Sequence, residues 1–435
     1  MSKHRFQKSV YNGFILPIAY GLAQAASVFR PKLRESLAGR MGFDDRWKSA
    51  GEEMTERPVW FHVASVGEYE QARPLITTLN ETRPEIPAAL SFASPSGLGY
   101  ARKKENLDGT NNLRFIDYLP IDFIGNIRFC LASLDPRLLV FVKFDLWPNL
   151  VWEAAARGVP LVLIDATLSE TSNRYSVLAR GFYRAVYEKL DKILAISDLD
   201  AQRFEKCVPG HRGISVVGDT RFDRVMERKN TTQSRFSHID RNNRLVVIAG
   251  STWPKDESHL LGALARVAKA NENLLLIVAP HEPIRGRVRD LLGWADANGL
   301  RATTLRALGQ KPPHGAKEQV IIVDSVGVLA EMYELADVAY VGGSFSTGVH
   351  NVIEPAIMGI PVVFGPVHKN SFEAIELLNR RAAIEVENER DIFDTLSSLL
   401  EDHDVRNGMG RRAMSYVESQ LGATDRCFQA ISEYL

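Results

Sequence analysis

Cysteine is scarce. Cys130, Cys207 and Cys427 are the three in 435 residues. They lie too far apart to read as a disulfide scaffold or a zinc site, and they suit a reducing cytoplasm. Net charge is missing too: 53 lysines and arginines balance 53 aspartates and glutamates. No nucleic-acid partner is therefore expected. The chain contains no G-x-x-x-x-G-K-[ST] loop, no H-E-x-x-H, no glycine fingerprint after its first strand, and no internal repeat. What remains is a composition of 45% hydrophobic and 24% charged residues, that of a soluble globular protein. Its length exceeds one ordinary core, so two domains are expected.

Long apolar runs are few, and the one at residues 11–29 stands apart. Lys3, Arg5 and Lys8 precede it, and Arg30, Lys32 and Arg34 follow it. Asn12, Pro17 and Gln24 weaken it as a membrane span, and no small-residue cleavage site marks it as a signal peptide. Basic residues at both ends suit a helix lying in an anionic membrane surface, so residues 1–50 are read as a membrane-associated segment. The plain alternative is a helix packed on the first domain.

From Pro58 onward short apolar strands alternate with helical segments. Strands are predicted at 59–63, 88–92, 113–117, 138–142, 161–165 and 192–195. A polar stretch at 226–244 reads as a linker. Strands resume at 244–249, 274–279, 319–323, 338–341 and 362–364. This pattern predicts an α/β protein with two Rossmann-like, doubly wound domains, 51–225 and 244–403, facing across a cleft. Residues 404–435 are helical in pattern and are expected to return to the first domain. In such sheets ligands sit at the carboxyl ends of the strands, so the loops there hold the candidates.

The richest loop lies in residues 341–364. Gly342, Gly343 and Gly348 allow close backbone approach, and Ser344, Ser346 and Thr347 add hydroxyls. Asn351 with Glu354 resembles a capping pair, and Pro355 belongs in a first helical turn. A glycine loop ahead of a helix suits an anion, and Glu354 suits sugar hydroxyls. An ordinary strand–loop–helix turn is the alternative; the whole string, with His350, favours a nucleotide site.

After the first strand, Gly67 is read as a tight turn and Glu68 as either a dipole-stabilised carboxylate or a general base. Lys143 and Asp145 alternate in direction, so at most one is expected to face the ligand. Trp147 and Pro148 are assigned to packing. Arg221 suits a carboxylate or phosphate, or a surface pair with Asp219 or Asp223. In the second half, Gly250, Ser251, Thr252, Pro280, His281, Val326, Gly327 and Val328 occupy strand-end positions. Asp198 and Asp200 have the spacing of a metal-binding pair but are assigned to a helix cap, and no metal or cofactor is called for.

Taken together, several motifs resemble the transferases of 3-deoxy-D-manno-octulosonic acid (Kdo). They are W-F-H-V-A-S-V-G-E at 60–68, L-W-P-N at 146–149, L-S-E at 168–170, G-D-T-R-F-D at 218–223, G-S-T at 250–252, V-G-G-S…H-N-V-I-E-P at 341–355 and F-G-P-V-H-K-N-S-F at 364–372. The resemblance implies the GT-B arrangement of two Rossmann-like domains and an inverting, metal-free transfer of Kdo from CMP-Kdo to a lipid A precursor. It implies Glu68 as general base, and Pro280, His281, Val326, Gly327, Val328, Asn351, Val352, Ile353 and Glu354 as the segments that hold CMP. A lipid acceptor would place the enzyme at the cytoplasmic face of the inner membrane.

The chain departs from the family pattern in places. Lys143-Phe144-Asp145 replaces the usual Glu-Thr-Glu, Arg221 a lysine, and Thr167 an arginine. Pro280-His281-Glu282-Pro283 replaces Pro-Arg-His-Pro. The pair credited with stabilising the transition state is half kept, with Asp145 a substitute for the acid. Two rivals stand beside this reading: a nucleotide-sugar 2-epimerase on the same fold, and a non-catalytic membrane-associated CMP-sugar-binding protein.

Overall fold

The structure is a computed structural model that describes residues 3–108, 112–169, 172, 174, 176–231, 236, 239, 241, 243–309 and 318–435. The chain forms two compact units. One comprises the residues up to Arg224 together with Leu421–Leu435; the other is Val225–Gln420.

The first unit is built on β1 (Val59–Val63), β2 (Ala88–Phe92), β3 (Leu113–Tyr118), β4 (Leu138–Val142), β5 (Leu161–Ala166), β6 (Lys192–Ala195) and β7 (Ile214–Val216). They form one parallel sheet in the order β3-β2-β1-β4-β5-β6-β7. β1, β2 and β4 are buried at every position, which is why they read as continuous apolar runs rather than alternating ones. Their two faces feed two cores. Trp60, Leu139 and Phe141 pack on one side; Phe61, Leu90 and Val140 pack on the other.

The second unit repeats the design with β8 (Leu245–Thr252), β9 (Leu274–Pro280), β10 (Ala302–Thr304), β11 (Val320–Ile322), β12 (Val338–Val341), β13 (Val362–Phe364) and β14 (Ala383–Glu385). Its sheet is parallel, in the order β10-β11-β9-β8-β12-β13-β14. In each sheet the earlier strands lie on one side of the first strand and the later ones on the other. The switch points, where such sheets bind ligands, are therefore β1/β4 and β8/β12.

Several sequence expectations need correction. β7, β10 and β14 were not foreseen; each has three residues, partly exposed, at a sheet edge. Helix Thr220–Thr231 occupies the start of the expected linker at 226–244, while Thr232, Gln233 and Ser234 lie outside the described residues. The C-terminal segment divides. Helix His403–Ser419 belongs to the second unit, and helix Ala423–Ile431 to the first. That second helix is held by Asp223, which accepts from Gly422 N (2.7 Å), Thr424 N (2.6 Å) and the Thr424 hydroxyl (2.7 Å).

The N-terminus forms helices Lys3–Val10 and Leu16–Ser27, joined by a π-helical turn at Tyr11–Ile15. One face packs on the first unit. Tyr11 is buried, and its hydroxyl donates to Asp122 (3.0 Å). Asn12 exchanges hydrogen bonds with Asn149, and Lys8 pairs with Glu153 (2.6 Å). The other face is unpaired and apolar: Phe14, Ile18 and Leu22, at helical spacing, are 66%, 60% and 67% exposed. Among the described residues no helix is long and apolar enough to cross a membrane.

Candidate functional site

At the β1/β4 switch point the chain leaves β1 through Ala64 and enters helix Val66–Thr82. Ser65 caps this helix, accepting from Glu68 N (3.4 Å). Gly67 is the second helical residue, not a separate turn, and its φ is not positive. Glu68, the third, is only 5% exposed and accepts from the Ala64 N–H. Burial pushes its pKa up. The Ala64 N–H opposes this, Asp145 adds to it, and His62 and Lys143 work against it. A carboxylate of raised basicity beside a strand end is suited to taking a proton.

From β4 come Lys143 and Asp145, and here the expected alternation fails. The strand ends at Val142. Lys143 takes the left-handed conformation (φ 62°), which turns the chain so that both charges act on Glu68. Burial raises the Asp145 pKa, but His62, Trp147 and Arg174 outweigh it, leaving the carboxyl below its usual range. Trp147 Nε1 donates to Asp145 (3.2 Å), and His62 Nε2 stands 3.4 Å away, an ion-pair distance that is long for a hydrogen bond. Trp147 therefore does more than pack. His62 was quoted in the sequence motif but not singled out. It is wholly buried, with Nδ1 2.8 Å from the Ser91 hydroxyl, which also accepts from Trp60 Nε1 (2.8 Å). The strand alternation of Trp60 and His62 was the available signal.

The G-D-T-R-F-D segment is a set of braces. Asp219 binds Arg221 through its backbone N–H (2.9 Å) and through Nε (2.8 Å) and Nη2 (2.5 Å). The Asp219 alternative for Arg221 is thus the one observed. Thr220 N donates to Asp165 (2.8 Å) at the end of β5. The Thr220 hydroxyl lies 2.8 Å from Gln71 O and 2.7 Å from Asp165 Oδ2. One hydroxyl has one proton, so both bonds form only when Asp165 carries the other. Burial and the neighbouring Asp219 push the Asp165 pKa in that direction, to about 8. The Arg221 guanidinium more than offsets burial at Asp219 and holds that carboxyl low.

The second unit brings Pro280 and His281 (end of β9), Val326, Gly327 and Val328 (after β11) and Asn351–Glu354 (after β12) to the same carboxyl edge of its sheet. His281, Val326, Gly327 and Asn351 are exposed there. Asn351 Oδ1 accepts from Ile353 N (3.0 Å), and its amide donates to Glu354 (3.0 Å), so the paired residues meet as expected. The helix they precede, Ile353–Ile357, has one turn, with Pro355 in it. Glu354 lines a cavity of about 250 Å³ with Arg228, Lys229, Glu331, Glu334 and Met358.

Some side chains expected at this edge are turned into the core instead. Ser344 does not face a ligand: it is fully buried, donates to Val341 O (3.1 Å) and accepts from Gly365 N (2.7 Å). The side chains of Val352 and Ile353 are buried as well, so any part they take in holding a ligand falls to their backbone. The glycine-loop amides serve Asp256, which accepts from Gly343 N (2.9 Å), Phe345 N (3.1 Å) and Trp253 N (2.9 Å). Asp256 was missed, although an acid three residues after Trp253 has capping-box spacing. Gly343 (φ 81°) and Gly348 (φ 119°) do need positive φ. Asp200 accepts from Leu168 N (2.9 Å) and the Thr167 hydroxyl (3.1 Å), a structural role as expected; Glu170 lies outside the described residues.

Two doubly wound parallel units define a two-domain α/β class. UDP-GlcNAc 2-epimerase from Neisseria meningitidis, solved bound to UDP-GlcNAc, shares this fold over 86% of this chain and 100% of its own, with a TM-score of 0.60 and 16% identity. Sequence carries the assignment further. Residues 35–224 match the family described as 3-deoxy-D-manno-octulosonic-acid transferase (kdotransferase). The 3-deoxy-D-manno-octulosonic acid transferase of Bordetella pertussis is 30% identical over 387 residues, covering 87% of each chain. That of Haemophilus influenzae is 27% identical over 424 residues, covering 94% of this chain and 93% of its own. The chain belongs to the Kdo transferase family of glycosyltransferases.

Proposed function

We propose that this chain moves Kdo from CMP-Kdo to a hydroxyl of a lipid A precursor, with inversion and with Glu68 as general base. The observation that carries the base assignment is the Glu68 carboxylate, buried at the β1/β4 switch point with its pKa raised by desolvation. The acceptor hydroxyl gives its proton to Glu68 as its oxygen bonds to the anomeric carbon of Kdo. The bond to the CMP phosphate oxygen breaks in the same event, and CMP leaves with the electron pair. Lys143 moderates the charge on Glu68, while Asp145 raises its basicity. Arg221 is a weaker candidate for meeting leaving-group charge, since Asp219 already engages it. Pro280, His281, Val326–Val328 and Asn351–Glu354 hold the nucleotide, with Glu354 accepting from sugar hydroxyls. One phosphate leaves less charge than a diphosphate, so protein donors suffice and no metal is needed.

The same reading puts the enzyme on the cytoplasmic face of the inner membrane. The exposed Phe14, Ile18 and Leu22 would enter the lipid interface, with Arg5, Lys32 and Arg34 beside anionic headgroups. The test is transfer by the pure protein from freshly made CMP-Kdo to a tetra-acylated lipid A precursor, with EDTA present. A Kdo-bearing lipid and released CMP are expected. Release of CMP into water without a glycolipid product, or interconversion of a sugar nucleotide, would contradict it.

A further inference from the structure

Three rings meet at the β8/β12 switch point. Trp253 follows β8, His281 follows β9, and His350 lies beyond β12. Trp253 stacks on His281 at 4.7 Å between centroids, and His281 on His350 at 4.4 Å with 10° between planes. Trp253 Nε1 donates to His350 Nε2 at 2.8 Å. A Cβ on Gly343 would come within 2.8 Å of His350 Cδ2, so that glycine keeps the ring's seat open.

The indole N–H decides which histidine nitrogen holds the proton. Indole is only a donor, so Nε2 must be the acceptor, and the single ring proton of neutral His350 then sits on Nδ1. Protonating Nε2 would set two donors against each other. The ionisable groups acting on His350 are His281, from the end of β9, and Asp256, from helix Pro254–Ala270. Burial and His281 hold its pKa below the ordinary histidine value, and Asp256 opposes them more weakly. Nδ1 of His350 and both ring nitrogens of His281 have no hydrogen-bond partner among the described residues. A switch point is where doubly wound sheets place a phosphate.

We propose that Trp253 is a positioning residue that fixes His350 as a neutral Nδ1–H donor and, by stacking, holds His281 beside it, so that the two imidazoles receive the phosphate of the nucleotide donor. This rests on the CMP-sugar reading and adds to it which part of the nucleotide these rings meet and how their geometry is set. Asp256 does not bar a phosphate from the spot, because its carboxylate is taken up by the amides of Trp253, Gly343 and Phe345.

The experiment compares wild type with Trp253→Phe, which keeps a ring to stack and loses the N–H. ¹⁵N shifts of His350 across pH report its tautomer and titration, and calorimetry reports binding of CMP and of cytidine. The wild type is expected to show the Nδ1–H tautomer at neutral pH. The variant should show a mixed tautomer and a titration displaced to higher pH. It should bind CMP about 5- to 10-fold more weakly, the loss of one hydrogen bond's organisation, with cytidine binding unchanged. An Nε2–H tautomer in the wild type, or an unchanged His350 in the variant, would overturn the proposal even if the variant were unstable. Equal weakening of CMP and cytidine would assign the rings to the base and overturn it too. Failure of the wild type to bind CMP would instead remove the nucleotide reading on which it stands.

Discussion

At the scale of single residues, the proposed chemistry depends on how buried carboxyls share protons. Glu68 is raised chiefly by burial, with Asp145 adding and Lys143 subtracting. Asp145→Asn should therefore move the acid limb of the kcat/KM profile to lower pH, and Lys143→Met should move it higher; pH–rate profiles of the two variants check the opposite signs. Asp165 gives a separate effect on stability. Burial and the neighbouring Asp219 lift its pKa from the ordinary 3.8 to about 8, so the folded protein keeps a proton that the unfolded chain releases. The associated stability is complete below the unfolded value and is lost as pH rises through about 8. Asp165→Asn keeps the neutral form and should flatten that decline, as urea unfolding between pH 6 and 9 would show. The place of Glu68 at a helix start and the pairing of Arg221 with Asp219 were legible from residue type and spacing. The roles of Asp165 and His62 were not, because each depends on neighbours distant in sequence: Thr220 with Asp219 for one, and Ser91 with Asp145 for the other.

At the scale of elements, the strands that read clearly were those buried on both faces, since a parallel sheet between helices turns each inner strand into an apolar run. β7, β10 and β14 gave no such signal, being short and partly exposed at the edges. The glycine loop after β12 was visible, but its purpose was misread in part. Its amides fold around the buried Asp256 rather than waiting for an anion, and nothing in the glycine spacing shows which acceptor they serve. Asp256→Asn would turn an amide NH₂ toward backbone N–H groups and leave donors unpaired. The expected cost is about 3 kcal/mol in urea unfolding, together with weaker CMP binding. Unchanged stability would show that the loop holds without the carboxylate.

At the scale of the whole molecule, the N-terminal stretch packs on the first unit, the plainer of the two readings its sequence left open, and keeps an apolar face outside. Tyr11, Asn12 and Lys8 fasten one face to the first unit, while Phe14, Ile18 and Leu22 remain outside. Composition revealed an apolar segment with basic flanks, but not which face would be used by the protein itself. Replacing Phe14, Ile18 and Leu22 together with serine should reduce binding to anionic vesicles by roughly 100-fold or more in a flotation assay, even with partial burial of each side chain, and leave CMP affinity unchanged. Equal vesicle binding would remove the membrane role.

The central claim is that Glu68 takes the acceptor proton in a metal-free Kdo transfer. The direct measurement is the single-turnover rate from CMP-Kdo to the lipid A precursor, in EDTA, for wild type and Glu68→Gln, with CMP affinity measured in parallel. Glutamine keeps an oxygen for the Ala64 N–H but cannot accept the proton. The expected result is a rate about 10²- to 10⁴-fold lower with CMP binding retained. Transfer by Glu68→Gln at the wild-type rate would contradict the assignment.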